Sequence, residues 1–376
     1  MSLEMAIAVL IRLVLGLVMT FAVIIGSAVV LSWGDRKVFG FTQDRYGPLH
    51  YGPWGLLQPV ADTLKLLLKE DVVPSGADRV LHLLAPIIFV MPTVGAFVVL
   101  PLGADLVVAD LNIGLVYIAA ISTFAVIGVM AAGWSSNNKY STLGAIRSVA
   151  QMVSYEVPLV LSFVPAAMLA GTLSLNGVVK AQDGLWFGLL LPLAFLVFFI
   201  CALAETNRNP FDLPEAESEL TAGYVTEYSG VRWAMFFMAE YGNMVIVSSV
   251  AAVLFLGGWQ GPLLPGFVWM LGKVYALIFV FMWLRSTLPR LRTDQLMAFA
   301  WKVLIPLALV NIFLTGALAL LLPDAYQLPL AAINWLMLVG FVFGLPVLVR
   351  RAAGPAGARS RAAVAAARSA VVGGRG

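Results

Sequence analysis

Six carboxylates crowd residues 205–232, ETNRNPFDLPEAESELTAGYVTEYSGVR: Glu205, Asp212, Glu215, Glu217, Glu219 and Glu227 face only two cations, Arg208 and Arg232. Like charges two and four residues apart on a helix repel. Such a cluster costs stability unless cations, partners or shared protons offset it, so it points to proton handling or docking. DLPE offers a helix start with Asp212 as N-cap and Glu215 three residues later. Capping accounts for those two acids and leaves Glu217, Glu219 and Glu227 unexplained.

Two further acids lie inside apolar runs: Glu156 in QMVSYEVPLV and Glu240 in FMAEYGN. A carboxylate near a bilayer centre costs at least about 2.5 kcal/mol and usually faces a bundle interior or a watery path. One such Glu alone reads equally well as a hydrogen-bonded group fixing helix register. Glu156, Glu205 and Glu240 together, beside a soluble acidic cluster, read better as a path for protons or ions.

These acids must be held by membrane helices. Hydrophobic residues make up 61% of the 376 and charged residues 11%, an apolar surplus beyond what a water-soluble domain buries. Nine windows meet the demand of about 20 apolar residues per span: roughly 5–33, 80–102, 112–134, 147–171, 186–204, 231–257, 267–288, 300–322 and 329–349. Strands are excluded by the lack of alternation. The expected fold is an all-α membrane bundle of about nine transmembrane helices, a single polytopic domain over residues 1–350. All but three of the 23 cations (Arg12, Lys180 and Lys273) fall in the odd-numbered loops, at the span edges bordering them, or in the tail. The positive-inside bias then predicts the N-terminus outside and the C-terminus in the cytoplasm.

Between the first two spans, GLLQPVADTLKLLLKE sets Leu56, Leu57, Val60, Leu64, Leu67 and Leu68 at helical spacing, with Asp62, Lys65 and Lys69 elsewhere. It predicts a cytoplasmic-side interfacial amphipathic helix at about 55–70. Residues 351–376 collapse to Ala, Gly, Arg and Val and read as a disordered tail that can touch anionic lipid. Cys201, His50 and His82 cannot supply an iron–sulfur or structural zinc site, and no phosphate-binding glycine motif occurs. The sequence thus points to no metal and no redox cofactor of its own, and the net charge of +3 gives no reason to expect nucleic acid.

With these motifs in order the chain resembles a membrane subunit of respiratory complex I, NADH:quinone oxidoreductase: the one known as the H subunit in bacteria and as subunit 1 in mitochondria. The likeness runs from about Gly34 to Leu307 through DRKVFGFTQDRYGP, YGPWGLLQPVADTLKLLLKED, GWSSNNKYSTLGAIRSVAQMVSYEV, AETNRNPFDLPEAESELTAGYVTEYSG, FFMAEYGNM, FLGGW and LPRLRTDQLMAFAWKVLIPL. The resemblance implies a quinone-binding subunit in a prokaryotic plasma membrane, at the junction of the redox arm and the proton-pumping arm. Its substrate is quinone. Its partners are the peripheral iron–sulfur and quinone-site subunits of the redox arm, neighbouring small membrane subunits, antiporter-like subunits and membrane lipid.

Carried over by motif, Asp35, Arg36, Arg45, Trp54, Asp62, Arg208, Phe211, Asp212, Glu227, Arg285 and Arg292 line or border a quinone chamber. Glu156, Glu205, Glu215, Glu217, Glu219 and Glu240 form an acid relay. Asp35 stands where Glu is usual, Asn209 for Thr, Thr293 for Tyr, and Leu49 with His50 replace the usual GPN pattern, which bears on chamber polarity. Alternative readings are the equivalent subunit of a membrane-bound hydrogenase or ferredoxin-driven complex, an independent ion transporter, which calls for inverted repeats, and a passive scaffold. Replacing Glu215, Glu217 or Glu219 by Gln is expected to impair quinone-coupled proton transfer. Normal turnover and pumping in all three variants contradicts the relay.

Overall fold

The computed structural model describes residues 3–104, 106–212, 222–322 and 326–352, and every regular element among them is helical. Lipid offers no partner for backbone N–H and C=O groups, so long apolar runs close their hydrogen bonds within themselves as helices. The helices are α1 (Leu3–Thr42), α2 (Gln58–Leu68), α3 (Arg79–Val99), α4 (Gly114–Ser135), α5 (Lys139–Ala170), α6 (Leu175–Ala181), α7 (Phe187–Leu190) and α8 (Pro192–Glu205). They continue as α9 (Gly230–Phe255), α10 (Gly266–Thr287), α11 (Thr293–Leu321, with a π-helical stretch at Ala300–Leu304) and α12 (Gln327–Ala352). Glu215, Glu217 and Glu219, most of the expected DLPE helix start, and residues 353–376 lie outside the described residues.

Seven of these helices (α3, α4, α5, α9, α10, α11 and α12) are long and apolar enough to cross a membrane. The first and fifth predicted windows hold the 40-residue α1 and the 14-residue α8. The fifth window is broken: α7 ends at Leu190, and Leu191 leaves helical geometry at φ −122°, ψ 53°. Pro192 is the cause, because proline lacks an N–H and disfavours the α conformation in the residue before it. α5 begins at Lys139, eight residues before the predicted window, because Asn138 caps it by accepting from the Tyr140 N–H.

α9 is the centre of the bundle, packing against α1, α3 and α10. From Met244 to Phe255 every one of its residues is buried, as expected of a helix that is apolar all round. α3 runs along α4, α4 along α5, and α5 against α8 and α11. Small residues permit this close approach: a Cβ on Gly128 of α4 would sit 2.9 Å from the Phe89 backbone of α3. At the end of α9 farthest from Gly230, the Lys273 ammonium of α10 donates to the carbonyls of Leu256, Gly258 and Gln260 at 2.6–2.8 Å. A cation at a helix C-terminus is favoured by the macrodipole, so this end of α9 is tied to α10.

Candidate functional site: a charged cluster backed by an acidic cavity

Asp35 lies in the last quarter of α1 and is buried, 4% exposed. Its Oδ2 accepts from Arg285 at the end of α10 (2.5 Å), from Arg208 just past α8 (3.2 Å) and from the Tyr241 hydroxyl of α9 (2.9 Å). Arg208 also lies over the Tyr241 ring at 4.6 Å, and Arg285 over Phe39 at 5.2 Å. One carboxylate thus gathers four elements that the sequence keeps far apart.

Outside this node, Arg36 of α1 donates to Asp62 of α2 at 2.6 Å, and Gln58 donates to the other carboxylate oxygen. Burial alone pushes the Asp62 carboxyl up. The Arg36 bond and charge, with Gln58 and Lys65, outweigh it and hold the group below its ordinary value. Phe211 is buried against Tyr155, with ring centroids 5.3 Å apart, and Asp212 pairs with Arg290 at 3.2 Å. Trp54 and Arg45 are exposed, the first giving its carbonyl to Trp33 Nε1 and the second donating to Gln43. Arg292 is exposed beside Asp294. Glu227 stands in a different group, where its Oε1 accepts from Asn138 at 2.6 Å.

The three intramembrane acids gather elsewhere. A cavity of about 40 Å³ between α3, α4, α5, α8 and α9 is lined by Glu205, Glu240, Asn243, Thr93, Ser122 and mostly apolar neighbours. That volume holds about three waters. Glu156 of α5 bonds to the wall, accepting from Ser122 at 3.1 Å and Thr123 at 2.8 Å. Glu205 is buried, within hydrogen-bonding reach of Asn243 and close enough to Glu156 for their charges to interact. Glu240 accepts from the Tyr224 hydroxyl at 3.2 Å. Carboxylates separated by hydroxyls and a small cavity with a few polar groups in its wall can pass protons in steps.

The cluster and the cavity stand back to back. Glu240 and Tyr241 are consecutive, so about 100° of helical rotation turns one to the cavity and the other to Asp35. In the turn after α8, Glu205, Thr206 and Asn207 line the cavity while Arg208 reaches Asp35. Gln151, fully buried in α5, locks that turn by donating to the carbonyl oxygens of Ala204 and Phe211 and to Asn207 Oδ1. Nothing in the sequence reading singles out Gln151, Tyr224, Tyr241, Ser122 or Thr123. Tyr241 and Tyr224 carry one available signal, a phenol next to or near an acid.

The chain belongs to the NADH dehydrogenase family, whose sequence profile matches residues 15–316. Within that class its relatives are the H subunits of NADH-quinone oxidoreductase. It is 48% identical to the NADH-quinone oxidoreductase H subunit of Dehalococcoides mccartyi, over 91% of this chain and 95% of the relative. It is 52% identical to the second H subunit of Geobacter sulfurreducens, over 79% and 93%, and 50% identical to the H subunit of Syntrophotalea carbinolica, over 82% and 96%.

Two outcomes follow from the geometry. Asp35→Asn leaves two guanidinium groups without their shared counter-charge and is expected to cost about 3–5 kcal/mol, whereas Asp35→Glu keeps the charge and most of the stability. Thermal unfolding of the detergent-solubilised complex measures both. The second concerns pH. Because the folded Asp62 carboxyl titrates below the ordinary aspartate value of about 3.9, its contribution is present above that value and lost as pH falls through the lower folded one. Hydrogen exchange of residues 58–68, corrected for the intrinsic effect of pH, should be flat from neutral pH down to about 4 and rise only below it; a rise near pH 6 contradicts the Arg36 pairing.

Proposed function

We propose that this chain is the quinone-chamber subunit of a proton-translocating NADH:quinone oxidoreductase and couples quinone reduction to proton transfer through carboxylates. The observation that carries the reading is the shared wall: Arg208 and Tyr241 serve Asp35 while their neighbours Glu205 and Glu240 serve the acidic cavity. A change of charge at the quinone end perturbs Arg208 and Tyr241, and their helices carry that perturbation to Glu205 and Glu240. In a medium of low dielectric such a change acts strongly over these short distances.

In this reading the chamber border comprises Asp35, Arg36, Arg45, Trp54, Asp62, Arg208, Phe211, Asp212, Glu227, Arg285 and Arg292. The relay comprises Glu215, Glu217 and Glu219 of the loop and Glu156, Glu205 and Glu240 of the cavity. α1 and α8 complete a nine-span bundle in a prokaryotic inner membrane, N-terminus outside and C-terminus cytoplasmic. α2 lies in the membrane interface, which the exposure of Leu64, Leu67 and Leu68 supports. Electrons reach the quinone from a peripheral iron–sulfur subunit, and small membrane and antiporter-like subunits receive the relay.

Photo-crosslinking with a quinone analogue in native membranes tests the chamber: label is expected within residues 36–65 or 205–240, and label confined to other segments contradicts it. Glu156→Gln and Glu240→Gln should retain NADH oxidation by an artificial acceptor yet lose quinone-coupled proton transfer. Full pumping in both variants rules out the relay.

A further inference from the structure

His82 sits in the first turn of α3 with no exposed surface, and the charged cluster and the acidic cavity do not use it. Its ring stacks on Tyr228 with centroids 4.0 Å apart and planes 8° apart. Nδ1 is 2.7 Å from Arg232 Nη1, and Arg232 Nε is 2.8 Å from Asp71. The segment leaving α2 is further bound by Ser229, whose hydroxyl accepts from the Val72 N–H and donates to the Glu70 carbonyl. Tyr228 reaches Ser135 of α4, and Glu227 reaches Asn138 at the start of α5. Six elements meet around one imidazole.

The donor inventory fixes its state. Arginine has no acceptor and keeps its proton, so Arg232 donates and Nδ1 accepts. His82 is therefore neutral, with its proton on buried Nε2 beside the Glu227 main chain and outside full hydrogen-bond geometry. A second proton would set two cations in contact. The groups facing the ring are Arg232 of α9, Asp71 of the α2–α3 link, and Glu227 and Tyr228 of the loop; Asp78 and Arg79 are charged neighbours on its own element, while α4 and α5 supply the neutral Ser135 and Asn138. Asp71 and Glu227 favour the protonated ring, but each is already engaged, by Arg232 and Asn138.

We propose that His82 is the positioning residue for the C-terminal end of the acidic loop: its neutral ring holds Arg232, and through it Asp71, so protonation frees the segment after α2 from Glu227–Arg232. This deepens the proposed function, on which its functional meaning rests, because Glu227, assigned there to the chamber border, is carried by the segment so held.

Hydrogen exchange of residues 69–73 and 223–232 in the intact purified complex, corrected for the intrinsic effect of pH, is the test. Arg232 against Nδ1 opposes a second proton on the ring, so His82 takes it up in the acidic part of the histidine range, between roughly pH 6.5 and 5. Across that window wild-type exchange in both segments should rise together, by about tenfold, the factor expected for one lost charge-assisted hydrogen bond. His82→Phe keeps a ring for Tyr228 and offers no acceptor, so it should exchange fast at every pH. His82→Asn keeps an acceptor that does not titrate in this range, so it should stay protected at every pH. NADH oxidation by an artificial acceptor checks assembly of all three. Exchange in wild type that ignores pH, or His82→Asn behaving like His82→Phe, overturns the proposal. Neither result depends on whether Glu156→Gln and Glu240→Gln stop pumping, so the two readings can fail separately.

Discussion

The placement of α1, α9, α10 and the turn after α8 depends on one buried carboxylate shared by two guanidinium groups and a phenol. Asp35 binds Arg208, Arg285 and Tyr241 with almost no access to solvent, so removing the carboxylate takes the shared counter-charge from two guanidinium groups in a low-dielectric setting. Buried ion groups of this kind add little net stability over apolar packing, yet they are intolerant of misplacement. Their effect is to fix where α1, α9, α10 and the turn after α8 stand relative to one another.

That fixed geometry matters because the same turn and the same helix face two ways. Residues 205–208 put three side chains on the cavity and one on the cluster, held by the three bonds of Gln151. α9 does the same with adjacent residues at its midpoint, and its farther half is a continuous buried apolar column ended by Lys273. Residues that hold Asp35 are therefore close neighbours of residues that line the cavity, and a packed apolar column fills the far half of α9.

Much of this was legible in the residues. Continuous apolar runs gave the helical bundle, acids inside such runs singled out Glu156 and Glu240, the acidic cluster supplied Glu205, and the fold gathers all three around one cavity. The cluster was not legible as a cluster: Asp35 is 173 residues from Arg208 and 250 from Arg285, and charge at a span's end reads first as an orientation signal. Gln151, Tyr224 and Tyr241 escaped notice because an uncharged polar residue in a helix carries no periodic mark. The break before α8 had a local cause in Pro192 that apolar windows pass over. Motif resemblance grouped Glu227 with the chamber, whereas its contacts tie it to Asn138 and the His82 joint.

In the function proposed above, events at the quinone end change proton occupancy of the cavity acids. Infrared difference spectroscopy of the intact complex on quinone reduction reads carboxyl protonation directly. Wild type should show carboxyl bands that disappear in Glu205→Gln and diminish when Arg208, on the other side of the shared wall, is replaced by Gln. A difference spectrum unchanged by Glu205→Gln contradicts the proposed function.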